Sequence, residues 1–246
     1  MISSNWKLFI GVILVALSAV LGVLHYAVFG DANTLLFYLA LDIVFVPVQV
    51  LLVTVIIEKL LTEREQQIML KKLNMVIGAF YSEVGNNLLL HFRKLYKDTI
   101  QIDARLKVNK EWSDKDFRAA IGFAKGCDCY SGFDSVELAA LQELLISKRG
   151  FMLGLLQNPS LLEHDRFTDL LWAVFHLTEE LAARQATDSL PPEDIDHLNN
   201  DMRRAFGLLI SEWLEYMKHL KIEYPYLFSL AVRTNPFNPE ASVVIK

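Results

Sequence analysis

Two consecutive apolar stretches decide the fold of this chain: LFIGVILVALSAVLGVLHYAVF at residues 8–29 and TLLFYLALDIVFVPVQVLLVTVII at residues 34–57. Only the four residues from Gly30 to Asn33 separate them. A helix needs about 20 apolar residues to cross a hydrocarbon core of roughly 30 Å. Both stretches reach that length. We therefore predict a two-helix transmembrane hairpin over residues 1–57, in an integral membrane protein whose surroundings include the lipid bilayer.

The distribution of cationic residues predicts the orientation of this hairpin. The connecting segment contains no Lys or Arg, whereas Lys59, Arg64, Lys71 and Lys72 follow the second stretch. Cationic residues close to a membrane-spanning helix stay on the cytoplasmic side. Both termini are thus expected in the cytoplasm, at a plasma or inner membrane. The first stretch is longer than the apolar region of a cleaved signal peptide, so we expect it to be retained.

Small residues form a stripe along the first predicted helix. Gly11, Ser18, Gly22 and His25 are spaced by seven, four and three residues, which places them on one face. Helices pack closely in lipid where small residues let their backbones approach. The stripe predicts helix packing through Gly11, Ser18 and Gly22, against the second helix or a neighbouring subunit.

The second predicted helix carries polar residues at membrane depth. Asp42 and Gln49 share a face, and Pro47 between them removes a backbone hydrogen bond and predicts a kink. A carboxylate at this depth costs a few kcal/mol and normally faces protein or water. Because His25 and Asp42 differ in depth by roughly 6 Å, we predict that they pair, within the hairpin or between subunits. Two roles stay open for Asp42: helix packing, or lining a pore in a homo-oligomer.

Beyond the hairpin the sequence predicts a helical stalk over residues 58–75 and an all-α cytoplasmic domain over residues 76–246. The stalk lacks Gly and Pro and is rich in helix-forming residues. In the domain, apolar residues repeat at helical spacing from Ile77 to Leu95, which predicts a core helix over residues 73–96. The most regular repeat runs from Ile195 to Leu220, which we expect to be the central helix. Three pairs have the spacing of helix N-terminal capping boxes: Ser113 with Asp116, Asp134 with Glu137, and Ser160 with Glu163.

Three segments of the domain predict interruptions. The stretch IQIDARLKV, residues 100–108, has the best alternation in the chain and predicts a loop or a small strand. Gly150 is expected to separate a helix ending near Ser147 from a short apolar segment. The tail residues 235–239 contain two prolines and predict an irregular strap.

No residue pattern in the domain identifies a catalytic residue, a metal site or a cofactor. Cys127 and Cys129 lack a second cysteine pair and are expected to be reduced thiols. A polar stripe, made of Glu83, Asn87 and His91, is expected to be solvated or internally hydrogen-bonded. Four histidines stand beside carboxylates and predict ordinary surface pairs: His164 near Glu163 and Asp165, His176 near Glu180, His197 near Glu193, and His219 near Glu215. Asp194, Asp196 and Asp201 are expected to mark a solvated helix face.

These observations rank three hypotheses about the function of the protein. A net charge of -5 argues against nucleic acid as a partner. The sequence contains no P-loop, serine-hydrolase elbow, zincin motif or dinucleotide fingerprint. The leading hypothesis is a membrane-anchored interaction or signalling module whose cytoplasmic domain binds a protein or a small ligand. The alternative is an oligomeric ion channel or transporter component with the second helix lining a path past Asp42, and the third is a membrane-bound enzyme of unknown class.

Overall fold

The computed structural model describes residues 4–94, 99–126, 135–161, 164–185 and 190–244. Over these residues the chain is helical and contains no strand, which confirms the all-α prediction. The backbone divides into two compact units, Met1–Gln66 and Gln67–Lys246. The boundary falls inside the segment predicted as a stalk. We refer to the second as the helical unit.

Nine α-helices and two short helical turns make up the described residues. The helices are α1 (Ser4–Phe29), α2 (Ala32–Phe80), α3 (Asn86–Lys94), α4 (Thr99–Leu106), α5 (Asp114–Gly126), α6 (Ser135–Leu156), α7 (Asp165–Ala182), α8 (Pro192–Glu223) and α9 (Pro225–Arg233). A π-helical turn, Tyr81–Gly85, follows α2, and a 3-10 turn, Pro159–Leu161, precedes α7.

A tight turn joins α1 to α2. Gly30 has a φ of 67°, the left-handed conformation that ends helices and that glycine adopts without steric cost. Asp31 then caps α2, because its Oδ1 accepts a hydrogen bond from the Asn33 N–H at 2.9 Å and its Oδ2 accepts one from Thr34 Oγ1 at 2.5 Å. The helix α2 continues through Pro47, and residues 58–75 are helical within it.

The apolar residues of the first unit are exposed. Two helical stretches, Leu8–Phe29 and one within Ala32–Lys94, are long and apolar enough to cross a membrane, with mean hydropathies of 2.6 and 2.5. None of the residues in the most apolar part of either stretch is buried. These two stretches are therefore not core helices of the described chain.

The core of the helical unit is organised around α8. Helices α5, α7 and α9 all pack against α8, and α6 packs against α7. As predicted from its periodicity, α8 is central, and Leu198, Met202, Leu209 and Met217 are buried along it. The helices α7 and α8 run antiparallel to each other. This follows from the contact between Arg166, near the start of α7, and Glu212, in the second half of α8.

The segment predicted as one core helix from Leu73 to Tyr96 contains the π-helical turn. Tyr81 is buried there, its hydroxyl donates a hydrogen bond to the Leu209 carbonyl at 2.8 Å, and its ring stacks on Tyr216. The apolar residues predicted for this core face are buried from Ile77 to Phe92. The one extra residue of a π-helical turn leaves the apolar spacing nearly unchanged, which is why the sequence pattern does not reveal it.

Two predicted interruptions are wrong. Residues 99–106 form α4 and not a strand, because Ile102 and Leu106, one helical turn apart, are both buried against the core. Gly150 lies inside α6 and does not separate two segments. A glycine costs a helix about 1 kcal/mol, which the packing of a 22-residue helix readily overcomes.

The capping predictions have different outcomes. Ser113 and Asp116 form the predicted box, since the Ser113 N–H donates to Asp116 Oδ2 at 2.7 Å. The other two predicted boxes each contain a residue outside the described ranges, Asp134 or Glu163. At the start of α7 the cap is His164, whose Nδ1 accepts a hydrogen bond from the Phe167 N–H at 3.1 Å.

The tail after α9 packs as an irregular strap, as predicted from its prolines. Phe237 is fully buried and its ring lies 5.4 Å from the Trp213 ring. Asn235 is also buried, and its side chain donates to the Leu106 carbonyl and accepts from the Phe237 N–H. This side chain ties the tail to the end of α4.

Candidate metal centre

Four side chains from α7 and α8 converge near the loop that joins these helices. His176 and Glu180 are four residues apart on α7, and His197 and Asp201 are four residues apart on α8. Residues at that spacing lie on the same face of a helix. Because the helices are antiparallel, Glu180 lies opposite His197 and His176 lies opposite Asp201. We call these four residues the histidine-carboxylate cluster.

The two imidazole Nε2 atoms point at the same carboxylates. Asp201 Oδ2 lies 3.1 Å from His176 Nε2 and 3.4 Å from His197 Nε2. The Glu180 oxygens lie 3.9 Å from His176 Nε2 and 3.7 Å from His197 Nε2. Ligand atoms of His176, Glu180 and His197 all lie within 4.8 Å of one another. Imidazole nitrogen and carboxylate oxygen together are the donor set that zinc and related divalent ions take in proteins.

Burial differs sharply within the cluster. The Asp201 side chain is only 5% exposed, whereas His176 and His197 are 46% and 51% exposed. A buried carboxylate needs a cation or several hydrogen bonds to offset its lost hydration. The imidazoles close over Asp201 from the solvent side. The arrangement therefore holds a buried anionic oxygen at the bottom of an accessible site.

Two arginines flank the cluster. Arg184 Nη1 lies 2.8 Å from Glu180 Oε2, and its other guanidinium nitrogens bind both oxygens of Asp194. The hydrogen bond from Arg184 holds the pKa of Glu180 below its usual range, so Glu180 is ionised at neutral pH. On the other side, Arg204 Nη2 lies 3.7 Å from Asp201 Oδ1. Glu180 is thus available as an anionic ligand.

A cleft of about 420 Å³ adjoins the cluster. His176 forms one part of its lining, together with Trp172 and Arg204, and Asp169, Ala173 and Leu208 complete the lining. Trp172 is exposed despite its size. The cleft is lined by the indole ring of Trp172 and the guanidinium group of Arg204, and His176 connects it to the histidine-carboxylate cluster. Binding sites for small molecules typically combine apolar and polar groups of this kind in a concave surface.

Sequence reasoning treated these histidines as separate surface pairs and assigned no metal ligand. It paired His197 with Glu193, although the structure places His197 beside Asp201 on α8. The available signal was the repeat of one pattern, a histidine four residues before a carboxylate, on two consecutive helices.

A second polar group is buried deeper in the helical unit. The Glu212 side chain is buried on α8, and its Oε1 lies 2.8 Å from Arg166 Nη2. That contact is an ion pair without aligned hydrogen-bond geometry. Burial raises the pKa of Glu212 above its usual range, and this effect exceeds the opposite effect of Arg166. We treat this pair as structural, because the guanidinium reaches solvent and the carboxylate adjoins the core.

The polar stripe on the core helix does not form a metal site. Glu83 binds Lys148 at 2.9 Å, and His91 Nδ1 lies 3.5 Å from Glu137. Their partners lie on α6, so these two members of the stripe fasten α6 to its neighbour. Asn87 contributes no ion pair. The two cysteines of the chain, Cys127 and Cys129, lie outside the described residues.

The residues predicted to lie at membrane depth differ in their exposure. Asp42, Pro47 and Gln49 are exposed in α2. His25 is half-buried, and its ring lies 4.7 Å from the Phe29 ring of the same helix. The pairing of His25 with Asp42 stays a prediction, as do the kink and the pore.

The small-residue stripe of α1 is open. A Cβ added at Gly11 or Gly22 would meet no described atom within 4 Å. Ser18, between them, is also exposed. The predicted packing of this stripe against a second helix or subunit stays a prediction.

Comparison with known proteins identifies relatives over the whole length. The C-terminal helical domain of the uncharacterized protein MJ1433 matches residues 69–233, and its N-terminal helical domain matches residues 2–61. The protein MJ1433 of Methanocaldococcus jannaschii is 42% identical over 240 residues, covering 98% of this chain and 96% of its own. No solved structure shows a significant match. The chain therefore belongs to the MJ1433 family, in both its N-terminal and its C-terminal helical domains.

Proposed function

We propose that this chain is an integral membrane protein and acts as an interaction or signalling module. The helix α1 and the first part of α2 would anchor it, and the helical unit would bind a ligand in the cytoplasm. The observation that carries the anchor is that no residue in the most apolar part of either helix is buried in the folded chain.

The energetics of the exposed helices support the anchor. Leaving one large apolar side chain in water costs about 1.5–3 kcal/mol relative to burying it. Large side chains such as Leu14, Leu24, Phe37 and Leu51 are more than half exposed, and they continue along both helices. Soluble monomers rarely expose contiguous apolar patches beyond a few hundred Å². A bilayer removes this cost because hydrocarbon replaces water around these side chains.

The histidine-carboxylate cluster supports ligand binding by the helical unit. An ordinary structural ion pair joins two side chains. In this cluster, four side chains converge on one point beside a cleft. Residues that bind ligands are typically convergent polar groups at the edge of an apolar concavity. Cations after α2's apolar stretch, Lys59 and Arg64 among them, favour a cytoplasmic location for this unit.

Membrane extraction and topology labelling test the anchor together with its orientation. In a Cys127→Ser, Cys129→Ser background, single cysteines are introduced by Asn33→Cys at the start of α2 and by Gly154→Cys on the exposed side of α6. The protein is expected to resist alkaline extraction from membranes. An impermeant maleimide applied to intact cells should label the position 33 variant and should label the position 154 variant only after lysis.

Two outcomes would contradict the proposal. Release of the full chain by alkaline carbonate would exclude an integral anchor. Labelling of the position 154 variant in intact cells, with protection of the position 33 variant, would place the helical unit outside the cytoplasm. A matched pair of variants is used because each position serves as the control for the other.

A further inference from the structure

We propose that the histidine-carboxylate cluster binds one divalent transition-metal ion of the zinc class. The ligands are His176 Nε2, Glu180, His197 Nε2 and Asp201 Oδ2. This inference names the ligand of the helical unit and rests on the proposed ligand-binding role, but it is independent of the membrane anchor.

The distances between the donor atoms fit one shared cation. Zinc binds imidazole nitrogen and carboxylate oxygen at about 2.0–2.2 Å, which places tetrahedral ligand atoms roughly 3.3–3.6 Å apart. Across the helix pair, His176 Nε2 lies 3.1 Å from Asp201 Oδ2, and His197 Nε2 lies 3.7 Å from Glu180 Oε2. Within each helix, His197 Nε2 lies 3.4 Å from Asp201 Oδ2, and His176 Nε2 lies 3.9 Å from Glu180 Oε1. These separations lie on both sides of the tetrahedral value.

The convergence of both imidazoles on one oxygen favours a metal over paired side chains. Two Nε2 atoms share Asp201 Oδ2, although each histidine also has a Glu180 oxygen within 4 Å. Charge pairing alone would be satisfied by one histidine for each carboxylate. A cation at the centre instead uses the lone pairs of both neutral imidazoles and both carboxylates at once.

The surroundings supply the support that metal ligands need. Metal-binding carboxylates are commonly held in place by hydrogen bonds from a second residue. Arg184 does this for Glu180, and it is itself fixed by both oxygens of Asp194. Arg204 approaches the second oxygen of Asp201 at 3.7 Å and leaves Oδ2 to the imidazoles. The flanking arginines also place positive charge beside the two carboxyl groups of the cluster.

The helix positions add rigidity to the site. Each helix contributes two ligands four residues apart, so each pair is fixed by one turn of regular backbone. The ion would join α7 to α8 close to their connecting loop. Solvent reaches the site past His176 and His197, which gives the ion an entry path.

Titration of the purified full chain in detergent tests the inference. The protein carries Cys127→Ser and Cys129→Ser, so that no thiol competes, and is freed of tags and treated with a chelator. Zinc is added in a calorimeter, and cobalt(II) is added in a spectrophotometer, where ligand-field bands report four-coordinate nitrogen and oxygen ligation. We expect one ion of either metal per chain.

Two ligand variants and one matched control locate the ion. His197→Gln removes an exposed ligand without opening the core, and Asp201→Asn keeps the shape of the buried group. Each is expected to weaken zinc binding at least tenfold and to change the cobalt bands. Asp196→Asn, on the exposed side of α8, should bind like the parent chain. Circular dichroism confirms that the variants stay helical.

The inference is overturned if the parent chain shows no saturable binding of zinc or cobalt, in which case the cluster is an ion-pair network. It is also overturned if His197→Gln, as a folded protein, binds as tightly as the parent chain, because the ion then lies elsewhere. Failure of the membrane extraction test would leave these binding results unchanged, so the two proposals fail separately.

Discussion

Adding a single methyl group at Gly85 should destabilise the helical unit. A Cβ at this position would overlap Tyr81 Cδ1, and it would lie 2.9 Å from Tyr81 Cε1 and 3.1 Å from Phe80 Cε1. The Tyr81 ring cannot move away easily, because Tyr216 stacks on it and the Leu209 carbonyl binds its hydroxyl. The π-helical turn that contains Gly85 depends on this close contact.

The size of the effect follows from two opposing terms. Forcing an extra methyl group into a packed core costs about 1–3 kcal/mol. Replacing glycine by alanine in a helix returns roughly 0.5–1 kcal/mol. The two ranges leave a net loss of about 0–2.5 kcal/mol, and the overlap with Tyr81 Cδ1 places Gly85→Ala in the upper part of it, at about 1–2.5 kcal/mol. Since 1 kcal/mol shifts the melting temperature of a unit this large by about 2–4 °C, we expect a decrease of roughly 2–10 °C.

Gly154→Ala is the matched control for this measurement. Gly154 also lies in a helix, but a Cβ there would meet no described atom within 4 Å. Its melting temperature should rise by about 1–4 °C, because only the helix propensity changes. Both variants are melted as full-length protein in detergent, with the intrinsic tryptophan fluorescence, to which buried Trp213 contributes, as the signal. An unchanged or raised melting temperature for Gly85→Ala would refute the tight contact with Tyr81.

Two further substitutions test the buried polar groups. Burial raises the pKa of Glu212 in the folded chain, so its contribution to stability is greatest below the unfolded pKa and is lost as the pH rises through the folded value. Glu212→Gln removes this dependence, so in pH-resolved melts the variant should gain stability relative to the parent as the pH rises from about 4.5; a constant difference would contradict the raised pKa. Asn235→Ala leaves the buried Leu106 carbonyl without this hydrogen bond and should cost about 1–3 kcal/mol in chemical denaturation, whereas Asn238→Ala, at a partly exposed position, should cost less than 1 kcal/mol. Equal losses at the two positions would show that the tail is not held by Asn235.

Helix positions were largely predictable because apolar spacing and capping act locally. The periodicity from Ile195 to Leu220 identified α8 as the central helix, and the Ser113 box marked the start of α5. The exception at residues 99–106 has a simple cause. In a stretch of eight residues, alternation and helical spacing select overlapping positions, and only the core decides which one is used.

The candidate metal centre was not predictable to the same degree. Its ligands belong to two helices, and which residues face each other depends on the antiparallel register of α7 and α8. That register is set by tertiary packing and by contacts such as Arg166 with Glu212. The sequence shows a histidine before each carboxylate, but it does not show that both histidines point at the same oxygen of Asp201.

Carboxyl groups in the helical unit and in the apolar part of α2 have different surroundings. Within the helical unit, Asp201 and Glu212 each have a cationic or imidazole group within 3.1 Å, which offsets part of the cost of burial. Asp42 lies in an apolar helix, and among the described residues no ion pair involves it. If α2 spans a bilayer, the group that stabilises Asp42 must come from water, from a proton or from a second copy of the chain. A monomer in detergent would therefore exclude permeation past Asp42, because a single pair of helices cannot enclose a water-filled path.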